Sequence, residues 1–277
     1  MTHKQKKRIG NVTFYIIATI LALVVAMPFF WMLSTSFKSG GALMSIPVQW
    51  IPKKPTLAAY EKLFGLTNFW RSIGNSFYLA ILSTAIQVVS SGMAAFALSK
   101  IHFKGRGAMF SAYLATMMIP FQVIFIPIFL VMSRLGITNN LTALAVTHLF
   151  MPMAIFMYRQ TMLTINDSFI EAAVIDGANS FQVFFHVIYP LCKGTTATVF
   201  IMGFMASWND YLLPLVLLSD QKKYTLQLIL NSLEGQFGGQ YNLMMAGSLV
   251  SIIPILVIYI FLQKYFKSGM QLGGVKG

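Results

Sequence analysis

Residues Arg159–Leu191 read RQTMLTINDSFIEAAVIDGANSFQVFFHVIYPL, and they carry three of the chain's seven acidic residues, Asp167, Glu171 and Asp176, between two hydrophobic blocks. Ser168 followed by Glu171 has the spacing of a capping box, so a helix is expected to begin near Ser168. Phe169, Ile170, Ala173 and Val174 would give that helix one apolar face, and Gly177 would end or bend it. A second helix is expected from about Ser180, with Phe181, Phe184, Phe185 and Ile188 apolar and Pro190 at its close. On the residues alone two readings stay open. The pair of helices could lie at a membrane interface, tucked against its own bundle. It could also dock a partner, whose groove the small residues Ala172, Ala173, Gly177 and Ala178 would allow close to the backbone.

The surroundings are those of an integral membrane protein. Of 277 residues, 57% are hydrophobic and 10% charged, against about a quarter charged in soluble domains, and the mean hydropathy is +0.70. Six stretches are long and apolar enough to be expected as spans: 14–36, 76–98, 108–132, 141–158, 191–218 and 246–266. Pro28, Pro120, Pro127, Pro152, Pro214 and Pro254 fall inside them, which membrane helices tolerate where neighbours satisfy the freed carbonyls. The net charge of +13 flanks apolar blocks, so it points to lipid and topology and not to nucleic acid. Cys192 is the one cysteine, which excludes an internal disulfide and a cysteine metal cluster. MTHKQKKRIG resembles the start of a leader, but a run of full spanning length follows without a small-residue cleavage site, so no cleaved leader is expected.

Orientation follows from lysine and arginine. With the N-terminus inside, inner segments would hold Lys4, Lys6, Lys7, Arg8, Lys100, Lys104, Arg106, Arg159, Lys193, Lys264, Lys267 and Lys276. Outer segments would hold Lys38, Lys53, Lys54, Lys62, Arg71, Arg134, Lys222 and Lys223. Both termini are therefore expected in the cytoplasm. The chain reads as one transmembrane domain: an N-terminal segment 1–13, a bundle 14–266 with a cytoplasmic loop at about 159–190, and a tail 267–277.

EAAVIDGA at Glu171–Ala178, followed by VIYP at Val187–Pro190, resembles the signature of ATP-binding-cassette importer permeases, in the form found in carbohydrate uptake family one, the shorter maltose-type permease among its members. The six-span layout, SWNDYLLPLVL in the fifth span and the terminal GGVKG resemble the same family. The resemblance implies an all-α fold whose loop is the coupling helix, with Glu171, Ala172, Ala173, Asp176, Gly177, Ala178, Ile188 and Pro190 seated in a cleft of an ATPase subunit. It implies a homologous second permease, two ATPase subunits that bind the ATP and magnesium, and an extracytoplasmic sugar-binding protein. This chain would itself hold no cofactor or metal. The loop near Gly235, Gln236, Phe237 and Gly238 would meet the binding protein, and the tail would reach the ATPase dimer. Asn179 stands where the family often has serine, and KSGMQLGGVKG departs from the usual tail before its last four residues.

A sugar presents hydroxyls and an apolar C–H face, which suits amides beside aromatic rings. Trp208, Asn209 and Tyr211 supply that mixture and, with Gln122, are the expected substrate path; Gln87 is a weaker candidate. Trp208 could equally belong to an aromatic belt, and amides also hold membrane helices together. His3, His102, His148 and His186 are scattered with no acid at metal-ligand spacing, and no GxxxxGK[ST] loop is present. An intramembrane enzyme would need convergent acids or a Ser–Lys pair, and an ion-coupled carrier typically shows inverted repeats; neither pattern is seen. A permease for another binding-protein-dependent solute, such as glycerol phosphate, is the alternative.

Overall fold

The computed structural model describes residues 3–40, 48–149, 151–236 and 240–271, with side chains at 11–40, 48–149, 151–233 and 240–265. Among the described residues every regular element is helical, which fits the apolar runs: within a bilayer a single helix satisfies its own backbone. In order the α-helices are α1 (His3–Ser36), α2 (Ala58–Phe64), α3 (Phe69–Lys100), α4 (Arg106–Ala115), α5 (Phe121–Arg134), α6 (Leu141–Val146), α7 (Pro152–Leu163), α8 (Ser168–Ile175), α9 (Ser180–Gln182), α10 (Tyr189–Leu191), α11 (Lys193–Trp208), α12 (Leu212–Leu217), α13 (Leu226–Gln236) and α14 (Tyr241–Gln271).

Among the described residues three helices can cross a membrane on length and composition: Asn11–Ser36, Phe69–Lys100 and Tyr241–Tyr265. The number rises to five if the bent pairs Arg106–Met118 with Phe121–Arg134 (100°) and Ser180–Leu191 with Lys193–Trp208 (86°) each form one span. The expected third span is thus broken, not straight; the expected fifth is α11 and α12, interrupted at 209–211, and the 86° bend lies at its start, where the expected cytoplasmic loop joins it. The first break falls at Pro120, whose ring bars continuation of the preceding helical turn. The expected fourth span is two short helices. Pro152 opens α7, where its missing N–H costs nothing, and α6 ends at Val146. Neither piece alone reaches the ~30 Å of hydrocarbon at 1.5 Å per residue.

The chain falls into two compact units, Met1–Thr67 with Leu230–Ile253, and Asn68–Ile229 with Pro254–Gly277. In the first, no side chain from Asn11 to Phe30 is buried, whereas the end of α1 is packed. Ser36 and Lys38 are buried there, with the Lys38 ammonium 3.8 Å from the Trp31 ring centroid in a cation–π contact. The Tyr60 hydroxyl donates to Ser36 Oγ (2.9 Å), and the Asn242 amide donates to the Lys38 carbonyl (3.0 Å).

In the second unit α3 is the central mast, packed against α6, α7 and α11. Its close approach to α11 depends on Gly203. A Cβ added there would run into Gln87 Oε1 and lie 3.3 Å from Thr84 Cγ2. Small residues at such crossings let helix backbones approach in lipid, where no hydrophobic effect drives association. We predict that Gly203→Leu destabilises the protein by about 1–3 kcal/mol through overpacking, while Gly203→Ala, which the flexible Gln87 side chain can evade, costs less. Thermal unfolding in detergent checks this; an unchanged midpoint for the leucine variant would contradict the packing.

Candidate functional site

The sequence from Arg159 to Leu191 folds as two short helices turning at Gly177. That residue has φ +84°, a left-handed conformation that glycine adopts without a Cβ penalty. α8 begins at Ser168 as expected, but the expected capping box does not form. Asn166 Oδ1 accepts the Ser168 amide (3.0 Å), and the carboxylate of Glu171 has no hydrogen bond or ion pair among the described residues. The reciprocal cap appears one helix later. Asn179 Oδ1 accepts from the Gln182 amide (3.0 Å), and Gln182 Oε1 accepts from the Asn179 amide (2.8 Å). Asn179 therefore caps its helix as serine could.

The expected apolar face of α8 is split. Ile170 and Ala173, three apart and so on one face, pack inward with Ala178. Phe169 (53% exposed), Val174 and Ile175 (86%) face outward beside Ala172, Glu171 and Asp176, and α8 has no buried residue. The second helix is likewise redistributed. Val183–Ile188 winds as a π-helix, so Val183, Phe184 and Ile188 are buried while Phe181 and Phe185 stay exposed. Pro190 lies in α10, just before the 86° bend into α11.

Beneath that exposed face the loop is rooted in α3. The Phe184 ring sits 5.5 Å from Phe96 and 5.3 Å from Tyr189, in a notch that exists because residue 92 is glycine. A Cβ on Gly92 would come within 3.3 Å of Phe184 Cζ and 3.4 Å of Tyr189 Cε2. At the C-terminal end of α3 two cations meet orphan carbonyls. Arg159 Nε donates to Leu98 O (3.1 Å) while its guanidinium lies 4.1 Å over the Phe110 ring, and Arg106 donates to Ser99 O and Ile101 O. Lys100 reaches the loop instead: its ammonium donates to Ile165 O (2.6 Å) and to Asp167 Oδ1 (2.5 Å). The bond and charge of Lys100 hold the Asp167 carboxyl below its ordinary range.

The expected path residues separate in the structure. Trp208 is buried, its ring 4.8 Å from Phe77 and 5.6 Å from Phe204, so it packs α11 on α3. Asn209 is exposed; its amide donates to Met205 O (2.9 Å) and its oxygen accepts from Gln227 (3.4 Å). Tyr211 is half-buried against Leu213 and its neighbours, and Gln122 is exposed on α5. The structure also joins two residues whose sequence separation gave no signal: His148, in the break between α6 and α7, and Asp210, in the break between α11 and α12, stand 3.7 Å apart. Among the described residues no three His, Cys, Asp or Glu side chains converge to hold a metal. Gly235 and Gln236 close α13, while Phe237, Gly238 and the end of the tail from Leu272 lie outside the described residues.

Residues 87–271, which include this loop and both breaks, match the family model of the binding-protein-dependent transport system inner membrane component. The chain belongs to that family. It is 32% identical over 260 residues to the arabinooligosaccharides transport system permease protein AraQ of Halalkalibacterium halodurans, with 93% of each chain covered. It is 32% identical over 276 residues to the inner membrane ABC transporter permease protein YcjP of Escherichia coli, covering 98% of this chain and 99% of that one. The crystal structure of a bacterial ABC transporter involved in the import of the acidic polysaccharide alginate matches it with a TM-score of 0.83 at 27% identity, over 96% of this chain and 99% of that chain.

In this transport permease Lys100 ties the loop to the mast, which yields a prediction. Lys100→Ala leaves Ile165 O without its donor, at ~1–3 kcal/mol for an unsatisfied polar group. Amide exchange at 165–178 should rise about tenfold or more, while α3 itself stays protected. A depressed carboxylate stabilises above its ordinary pKa and loses that contribution as pH falls through the lowered value. Loop exchange, corrected for intrinsic chemistry, should therefore hold steady from neutral pH to about 4 and rise only below it. Equal protection in Lys100→Ala and the parent would show that the tether is idle.

Proposed function

We propose that this permease is a subunit of a bacterial ATP-driven importer of carbohydrates, with oligosaccharides as its substrates. The observation that carries the reading is the outward face of α8, where Phe169, Val174 and Ile175 are exposed beside Glu171 and Asp176. A mixed apolar and acidic face on a rooted helix is suited to a groove lined by basic residues. AraQ and the alginate importer, with their named cargoes, support a saccharide over other solutes.

In this reading the chain crosses the membrane six times, with α6 and α7 together forming the fourth crossing, and both termini are cytoplasmic. It supplies half of the translocation path, and a homologous second permease supplies the rest. Glu171, Ala172, Ala173, Asp176, Gly177 and Ala178 dock on one of two ATPase subunits, and Ile188 and Pro190 tie that contact to the bundle. The loop around Gly235–Gly238 meets an extracytoplasmic binding protein. Hydrolysis is the ATPase subunits' work. Closure of their dimer displaces α8, and the seat of Phe184 in α3 carries the displacement into the bundle as a rigid-body movement.

The full complex, reconstituted in proteoliposomes with ATP on the ATPase side, tests this directly. Labelled arabino-oligosaccharide, presented on the cognate binding protein, should accumulate only with both ATP and that protein. Accumulation of glycerol phosphate in place of the saccharide would overturn the substrate class, and uptake without ATP would overturn the mechanism.

A further inference from the structure

A groove of about 530 Å³ lies in the second unit where the loop turns into the bundle. Tyr189 and Pro190 of α10 line it before the 86° bend, and Lys193 and Phe200 of α11 line it after. Leu262 and Tyr265, near the C-terminal end of α14, complete it. Lys193 opens α11, and Phe200 lies seven residues on, about 10 Å along the helix axis. The groove therefore runs from a cation to ring and aliphatic surface. A second cation stands beside it: the Lys264 ammonium is 5.1 Å from the centroid of the Tyr265 ring. Both lysines are exposed, and among the described residues neither has a carboxylate within ion-pair distance.

This combination selects its occupant. A sugar needs hydrogen-bonding walls, and these are chiefly apolar. A free inorganic anion could meet the amines but would leave the rings and Leu262 unused. A neutral acyl chain would fill the apolar part and ignore the lysines. The groove of about 450 Å³ between α5 and α6 is of that simpler kind, lined by Ile124, Pro127, Val131 and Met132 with no charged side chain. An anionic phospholipid matches both ends of the groove at α11. Its acyl chain lies on Phe200 and Leu262, and its phosphate accepts charge-assisted hydrogen bonds from the ammonium groups. A choline headgroup carries its own cation, which offsets the phosphate. Basic pockets between membrane helices on the cytoplasmic side commonly recognise acidic headgroups.

We infer that the groove between the α10–α11 bend and the end of α14 is a binding site for an anionic phospholipid of the cytoplasmic leaflet. Lys193 and Lys264 hold the headgroup, and Phe200 and Leu262 hold one acyl chain. The inference rests on the proposed orientation, which puts the start of α11 and the end of α14 at the cytoplasmic face.

The test uses the full complex in phosphatidylcholine nanodiscs that contain a sub-saturating fraction of phosphatidylglycerol with a diazirine in one acyl chain. After illumination the label should concentrate within 189–200 and 262–265, and excess inorganic phosphate should not reduce it. Phosphatidylcholine bearing the same diazirine should label these segments no more than the rest of the chain. Lys193→Gln and Lys264→Gln should each lower the phosphatidylglycerol labelling about fivefold, and the two together about thirtyfold, the scale of one and two lysines near an acidic lipid surface. Lys193→Arg, which keeps the charge, should retain it. If the double variant fails to copurify with the ATPase subunits, the single variants decide. Equal labelling by the two lipids, labelling unchanged in the glutamine variants, displacement by phosphate, or photo-crosslinks from position 262 to the second permease would each overturn the site. In parallel, Lys104→Cys in right-side-out vesicles should react with an impermeant maleimide only after permeabilisation. Reaction before it would count against the proposed orientation, apart from the lipid site.

Discussion

The seat that Gly92 leaves in α3 for the rings of Phe184 and Tyr189 is the contact on which the rest of the second unit depends. Without it, the Arg159–Leu191 segment would be an amphipathic hairpin held at its ends. With it, the exposed α8 is joined to the central mast through tilted ring contacts, each pair adding about 0.5–1.5 kcal/mol beyond its buried area. The π-helical turn at Val183–Ile188 serves this contact by rotating Phe184 inward while Phe185 stays outside. Close-packed interiors transmit displacement and do not absorb it, so a push on α8 must move α3.

What α3 can move is set by the opposite half of the unit. α3 and α11 touch through Gly203 and the Phe77, Phe204 and Trp208 rings. α11 then stops at Trp208, and the chain restarts as α12 only after Asn209, Asp210 and Tyr211. A helix broken at this point behaves as two rods with a joint, and α6 and α7 are likewise separate helices, one ending at Val146 and the other starting at Pro152. The two breaks meet at His148 and Asp210.

Much of this was legible in the sequence, and the failures share a cause. Ser168, Gly177 and Ser180 marked the helix starts and the turn correctly, because caps and left-handed glycines are local. The device at Ser168 was misread because Asp167 is held by Lys100, sixty-seven residues earlier, and such partners leave no trace in spacing. The apolar faces of α8 and α9 were blurred for a related reason: a period of 3.6 does not describe a π-helical turn, and Phe169 and Ile175 are exposed where a lone amphipathic helix would hide them. Trp208 and Asn209 adjoin in sequence but diverge in space, one into the bundle and one to the surface. His148 looked isolated because its acid lies on another helix. Proline marked two places where an expected span breaks or restarts, Pro120 and Pro152, but not the gap at 209–211, and proline alone does not distinguish a kink from a stop.

The central claim is that the outer face of α8 is a protein-binding surface moving with α3, and not a helix resting on lipid. A photo-crosslinking residue at Ile175, which is 86% exposed, reports on this directly in the complex assembled in native membrane. The account predicts capture of an ATPase subunit from position 175 and none from a matched probe at the buried Phe184. Adducts from position 175 made only of phospholipid, with the ATPase present and active, would contradict it.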